Sequence, residues 1–218
     1  GVCKTHPVAL IREAIAGGVT ELGENRAEEA VPKIETLTAE GHAGLRWHMI
    51  GHVQSRKAKL VVPHFALVHS VDSLRLAQKF ASLAQEHGTR LEVLVQMNVS
   101  GELSKEGIAA HDWQHNHDTR AAVLEVMQHI VALPGVQVRG LMTIAPFTDE
   151  ESVVRPVFAS LRGLRDVLQQ ELGVALPELS MGMTDDFPIA IEEGATIVRI
   201  GRAIFGERTS ATQMPQNP

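Results

Sequence analysis

Gly1-Val2-Cys3-Lys4-Thr5-His6-Pro7 is the stretch on which the fold turns. It reads as a short buried strand that ends on a lysine, followed by a proline where a helical pattern begins. An open doubly wound sheet would carry a glycine-rich phosphate loop after its first strand. This strand leads into Lys-Thr-His-Pro instead, and neither GxGxxG nor GxxxxGK[ST] occurs anywhere in the chain.

Outward from that strand, β-branched apolar runs alternate with stretches of helical period. Strands are expected at 1–4, 20–23, 45–50, 66–70, 91–99, 136–142, 178–181 and 196–200. Helices are expected near 7–16, 26–40, 55–61, 73–87, 118–132, 150–172 and 185–193, with a last turn near 203–208. The punctuation agrees. Ser73 is a fair N-cap, Gly88 closes its helix, Thr148-Asp149-Glu150-Glu151 gives an acidic first turn, and Gly173 ends that helix. Eight strand–helix units predict an α/β fold, a single (β/α)8 TIM barrel over 1–208 with a C-terminal tail at 209–218. The chain begins inside a strand without an initiator methionine, so a lead-in is expected upstream.

Composition narrows the function classes. The 218 residues are 44% hydrophobic and 21% charged, with a net charge of −6. No global basic field favours nucleic acid or an anionic membrane, and no apolar run approaches a membrane span. The basic run Arg56-Lys57-Ala58-Lys59 reads as a solvated helix face. The single cysteine, Cys3, permits no internal disulfide and fits a cytoplasmic protein.

In a TIM barrel, chemistry gathers at the C-terminal ends of the strands, and phosphate often binds after the last two. Those loops hold Ser180-Met181-Gly182-Met183-Thr184-Asp185-Asp186 and Ile200-Gly201-Arg202. A hydroxyl and glycines there suit an anion. Arg199 interrupts the run Ile197-Val198-Arg199-Ile200 and must face a polar cavity or pair with a carboxylate such as Glu24. Lys4 at a strand tip would be partly desolvated, which favours the neutral amine needed for a Schiff base. An amine, a phosphate loop and a strand-end arginine together suit pyridoxal 5′-phosphate (PLP). The methionines Met49, Met97, Met142, Met181 and Met183 read as core filling, some of them near the pocket.

The same residues carry a resemblance. VCKTHP (2–7), GENRAEEAVPK (23–33), WHMIGHVQSRK (47–57), VHSVDS (68–73), VLVQMNVSGELSKEGI (93–108), VRGLMTI (138–144) and LSMGMTDDFPIAIEEGATIVRIGRAIFGER (179–208) run almost end to end in family order. The chain resembles the pyridoxal phosphate homeostasis proteins, relatives of the alanine racemase N-terminal barrel. The resemblance implies a Schiff base from PLP to Lys4. It implies phosphate contacts from Ser180 and the backbone of Gly201 and Arg202, with Met181 nearby. Arg199 would face the pyridine nitrogen, and Asn25 and His48 would lie around the cofactor. It departs from the family pattern at His6, Arg56 and Arg202, and in the segment His111-Asp112-Trp113-Gln114-His115-Asn116-His117-Asp118, which reads as a polar surface loop with no metal.

Alanine racemases are understood to use a lysine and a tyrosine on opposite cofactor faces. This chain has no tyrosine. An always-charged arginine at the pyridine nitrogen also weakens the ring as an electron sink. The implied function is a monomeric protein that binds, buffers or delivers PLP in vitamin B6 and amino-acid homeostasis, with PLP-dependent apo-enzymes as partners. A weak racemase using His48 as second base is the alternative. A regulatory protein docking through the open barrel face overlaps with the first reading.

Overall fold

The computed structural model describes residues 1–206 apart from Leu103 and Asp149. The expected tail at 209–218, and the end of the last expected turn, lie outside the described residues. The elements run α1 (Val8–Ala16), β1 (Glu21–Glu24), α2 (Ala27–Ala39), β2 (Arg46–Met49), a 3-10 turn (Ser55–Lys57) into α3 (Ala58–Val61), and β3 (Leu67–Val71). They continue with α4 (Leu74–Glu86), β4 (Leu91–Asn98), β5 (Ile108–Ala109), α5 (His117–Val131), β6 (Val136–Met142), α6 (Glu151–Leu172), β7 (Glu178–Met183), α7 (Phe187–Glu192), β8 (Ile197–Arg199) and α8 (Arg202–Phe205).

The sheet order is β1-β2-β3-β4-β6-β7-β8, and the pairings along it are parallel. The first residues close it. Val2 bridges Gly23 of β1 in parallel, and its N–H donates to Ile200 O beyond β8 at 2.7 Å. The expected strand at 1–4 is therefore the eighth stave, held by one bridge to β1 and one hydrogen bond on the β8 side. Short βα loops and right-handed crossovers make this closed barrel the natural solution for such a pattern. One element was not foreseen: β5 pairs with β4 through Met97↔Ile108 and Asn98↔Ala109, outside the barrel path.

Two apolar regions form. The larger lies between sheet and helices and includes Phe80, Phe158, Leu161 and Leu179, all buried. The smaller joins Leu67, Leu94 and Met142, with Ile144 and Ile197 against them. These come from β3, β4, β6 and β8, which are not all neighbours, so they meet across the barrel interior.

Local signals act as the sequence implies. Ser73 Oγ accepts the Leu76 N–H at 3.3 Å, and Gly173 ends α6 in the left-handed region at φ 62°. The 111–118 segment differs from the surface loop expected. Trp113 is buried, and its indole N–H donates to Ser160 Oγ of α6 at 3.0 Å, so the segment is pinned by an aromatic anchor. Asn116 caps α5 by accepting from Asp118 N and Thr119 N.

Candidate functional site

Lys4 leaves the barrel at the C-terminal end of the strand layer. Thr5 after it adopts φ 65°, a left-handed conformation that non-glycine residues rarely take, which turns the chain sharply behind the lysine. Beneath it, Glu24 is fully buried and pairs with Lys33 Nζ at 2.6 Å. Lys33 also donates to Cys3 O at 3.3 Å, and Cys3 Sγ lies 3.3 Å from the same Glu24 oxygen. Burial and the Glu24 carboxylate push the Cys3 thiol well up, so it stays protonated and unreactive.

Lys4 opens into a cavity of about 610 Å³. Val2, Asn25, Gln96, Met183, Thr184, Arg199, Gly201 and Arg202 line it. That size is typical of a cofactor pocket. Phe147 stands at its mouth, 88% exposed. Two glycines shape the walls. A Cβ on Gly51 would meet Asn25 O at 2.4 Å, so only glycine lets the β2 loop close on Asn25. Gly182 has φ 90°, and a Cβ there would meet the Ala190 Cβ at 2.6 Å. That tight turn carries Thr184 to the cavity.

Arg199 is buried. Its Nη1 donates to Ser180 Oγ at 2.6 Å and its Nη2 to Thr143 O at 2.9 Å. Among the described residues no carboxylate forms an ion pair with it, so of the two alternatives it faces a polar cavity and does not pair with Glu24. Burial pushes the guanidinium down to about 10, opposed by Asp186. It remains charged at neutral pH. Arg202 pairs with Asp185 at the rim.

Five of the residues singled out in the sequence therefore converge on one cavity: Lys4, Asn25, Arg199, Gly201 and Arg202. Three do not line it. Ser180 is fully buried, and its hydroxyl is spent between Arg199 and His69 Nδ1, the latter at 2.8 Å. Thr184, four residues on, is the hydroxyl-bearing residue that lines the cavity together with Gly201. Met181 is buried in β7. His48 sits with Glu21, Arg46, Glu92, Arg139 and Glu178 around a depression at the strand starts, the opposite end from Lys4. The reason is the pleat. Arg46 and His48 share one face of β2, and Arg46 stands at its beginning.

Sequence reasoning also passed over His52 and Glu106, which line the cavity rim. His52 Nδ1 lies 2.9 Å from Asp72 Oδ2 and 3.0 Å from Glu106 Oε2. Their signal was weak, because the three come from separate loops.

A closed parallel barrel with a strand-tip lysine, a buried arginine and a hydroxyl–glycine rim defines an alanine-racemase-type barrel. The family model described as "Alanine racemase, N-terminal domain" matches residues 2–209. The Pyridoxal phosphate homeostasis protein of Aquifex aeolicus is 43% identical over 208 residues, covering 95% of this chain and 86% of that protein. PipY of Synechococcus elongatus PCC7942, solved with PLP bound, superposes with TM-score 0.82 at 38% identity, covering 94% of this chain and 91% of that one. The same protein without PLP gives TM-score 0.85 at 39% identity with the same coverage. Alanine racemase of Clostridium difficile 630 shares the fold, at TM-score 0.70 and 17% identity, covering 99% of this chain and 53% of its own. This chain belongs to the pyridoxal phosphate homeostasis protein family.

Proposed function

We propose that this chain is a PLP carrier that buffers or delivers the cofactor in vitamin B6 and amino-acid homeostasis, acting as a cytoplasmic monomer. The observation that carries the reading is the convergence of Lys4, Arg199, Thr184 and Gly201 on one cavity of cofactor size. PipY, solved with PLP bound, supports it.

The cavity's chemistry fits PLP at each end. Bound PLP supplies an aldehyde, which condenses with an amine with loss of one water. Lys4 is the amine that lines the cavity. Arg202, the Thr184 hydroxyl and the unobstructed Gly201 backbone offer a cationic, donor-rich rim for a phosphate. Arg199 offers a fixed charge deeper in, suited to a pyridine nitrogen that stays unprotonated. Phe147 at the mouth leaves an apolar handle for an apo-enzyme that accepts the cofactor. No helix of the described residues is long and apolar enough to cross a membrane.

A racemase would need an acid or base opposite Lys4. His48, the candidate in the sequence, lies outside the cavity. His52 at the rim is engaged by Asp72 and Glu106. The deciding experiment is borohydride reduction of the PLP-loaded protein, peptide mapping of the adduct, and deuterium exchange at the α-carbon of L-alanine. A pyridoxyl group on Lys4 without exchange is expected. An adduct elsewhere defeats the site, and rapid exchange with inversion defeats the carrier reading.

A further inference from the structure

A buried polar chain runs through the barrel from one end to the other. Arg199 Nη1 donates to Ser180 Oγ at 2.6 Å, His69 Nδ1 lies 2.8 Å from the same oxygen, and His69 Nε2 lies 2.9 Å from His48 Nδ1. His48 Nε2 lies 2.7 Å from Glu21 Oε2, with the carboxylate off the ring N–H axis. His69 of β3 and Ser180 of β7 belong to strands that do not pair, so their contact spans the barrel interior. Arg199 lines the Lys4 cavity, whereas Glu21 is half exposed on the far face.

We propose that His69 and His48 are positioning residues for the cofactor site: with Ser180 they form a one-directional chain of hydrogen bonds that holds Arg199 in the cavity and ends at His48, whose outer nitrogen lies beside the Glu21 carboxylate on the opposite face. The proposal rests on the cavity being the PLP site.

Hydrogen-bond accounting sets the direction. Arg199 can only donate, so Ser180 Oγ accepts from it. The Ser180 hydroxyl proton then needs an acceptor, which a bare His69 Nδ1 provides. His69 thus carries its proton on Nε2 and donates to a bare His48 Nδ1. His48 carries its proton on Nε2, facing the Glu21 carboxylate. Each group holds one proton, no two like charges adjoin, and the chain points from a cation to an anion. The reverse order would leave the Ser180 proton without a partner and set an imidazole lone pair against a carboxylate.

The surroundings keep both rings neutral. His48 faces Glu21 from β1, Arg46 from its own strand and His69 from β3. His69 faces His48, Ser180 and Arg199. Burial outweighs the opposing pull of Glu21 and, helped by Arg46, lowers His48. Burial lowers His69 further. Uptake of one proton at His48 Nδ1 makes that nitrogen a donor. His69 must then shift its own proton from Nε2 to Nδ1, and Ser180 receives two N–H groups and loses its acceptor. The far face of the barrel thereby reports its protonation to Arg199.

Two measurements test this. Long-range proton–nitrogen correlation spectra of histidine-labelled protein without cofactor at pH 7.5 should show both His48 and His69 as Nε2–H tautomers. An Nδ1–H signal on His69 overturns the chain whether or not PLP binds. Spectrophotometric PLP titration then reads the cofactor end. His69→Leu should weaken binding about tenfold, the scale of one charge-assisted hydrogen bond. His69→Asn, whose amide oxygen can accept the Ser180 proton, should recover most of it. Glu21→Gln, on the exposed face, should move the acid-side change in the bound-PLP spectrum to lower pH, because the carboxylate favours a charged His48. Wild-type affinity in His69→Leu, or an unchanged pH profile in Glu21→Gln, overturns the proposal. Failure of the wild-type protein to bind PLP defeats the cofactor reading instead, and the tautomers still decide the chain.

Discussion

The two ends of the barrel use charge in opposite ways. At the strand starts, Glu21, Arg46, Glu92, Arg139 and Glu178 alternate in sign around a shallow depression, each 28–51% exposed, with ion pairs of 3.3–3.9 Å. Pairs of that kind contribute little. At the strand ends, inside an exposed rim, two charges are buried. Glu24 and Lys33 pair out of water, and Arg199 keeps its charge on two neutral oxygens. A charge held without an ion pair inside a cavity is costly to the apo fold and useful to an anionic or lone-pair ligand. One end is a solvated face of weak pairs, and the other is built to hold something.

The sharpest break in that contrast is Lys4→Ala. It should abolish retention of PLP through gel filtration and remove the adduct trapped by borohydride. Retention at the wild-type level would mean that another amine holds the cofactor.

Next is stability. Lys33→Met strands the Glu24 carboxylate in the core and should cost about 3–5 kcal/mol in urea unfolding. Arg139→Met at the other end should cost about 1 kcal/mol or less. Equal losses would erase the distinction between the ends.

Acid should act through the polar chain between them. Both His48 and His69 are lowered from the ordinary 6.5 by burial first. A histidine whose folded value lies below its unfolded value is protonated first in the unfolded chain. Its penalty is absent above about pH 6.5 and grows as the pH falls below it. Stability should drop by about 1.4 kcal/mol per pH unit for each ring until the folded values are reached. Urea midpoints at pH 7 and pH 5 measure it, and His69→Leu should flatten the curve. A midpoint that rises toward pH 5 contradicts the neutral assignment.

The smallest expected effect separates two hydroxyls. Thr184→Val should weaken PLP binding by about 1.5–2 kcal/mol with an unchanged unfolding midpoint. Ser180→Ala should lower the midpoint, because it leaves Arg199 and His69 without their shared partner. A phosphate site at Ser180 would show instead as wild-type affinity in Thr184→Val and an affinity loss in Ser180→Ala with an unchanged midpoint.

Most of the architecture was legible because barrel strands and their helices are written locally. Apolar β-branched runs, Ser73 as cap and Gly173 as stop lie within one or two residues of the observed elements. The two-residue β5 was not, since its pairing with β4 depends on a loop folding back. Lys4, Arg199, Gly201 and Arg202 were legible because each closes a strand or follows one, and strand ends share a face of the barrel. Ser180 was read as a strand-end residue because the strand was expected to stop at 181, whereas β7 runs on to Met183 and leaves Ser180 buried within it. Whether a residue there faces the lumen or the mouth is set by the Gly182 turn and the register shift between β7 and β8.

The sequence by itself therefore determined the strand–helix alternation, the barrel and the lysine at its lip, because period and punctuation are properties of neighbouring residues. Tertiary structure alone decided which hydroxyl meets the cavity, that His48 belongs to the far face, and that Glu21, His48, His69, Ser180 and Arg199 form one line. Those contacts join residues as many as 111 positions apart across the barrel. Side-chain direction across a lumen follows from strand register and closure, and no local pattern encodes either.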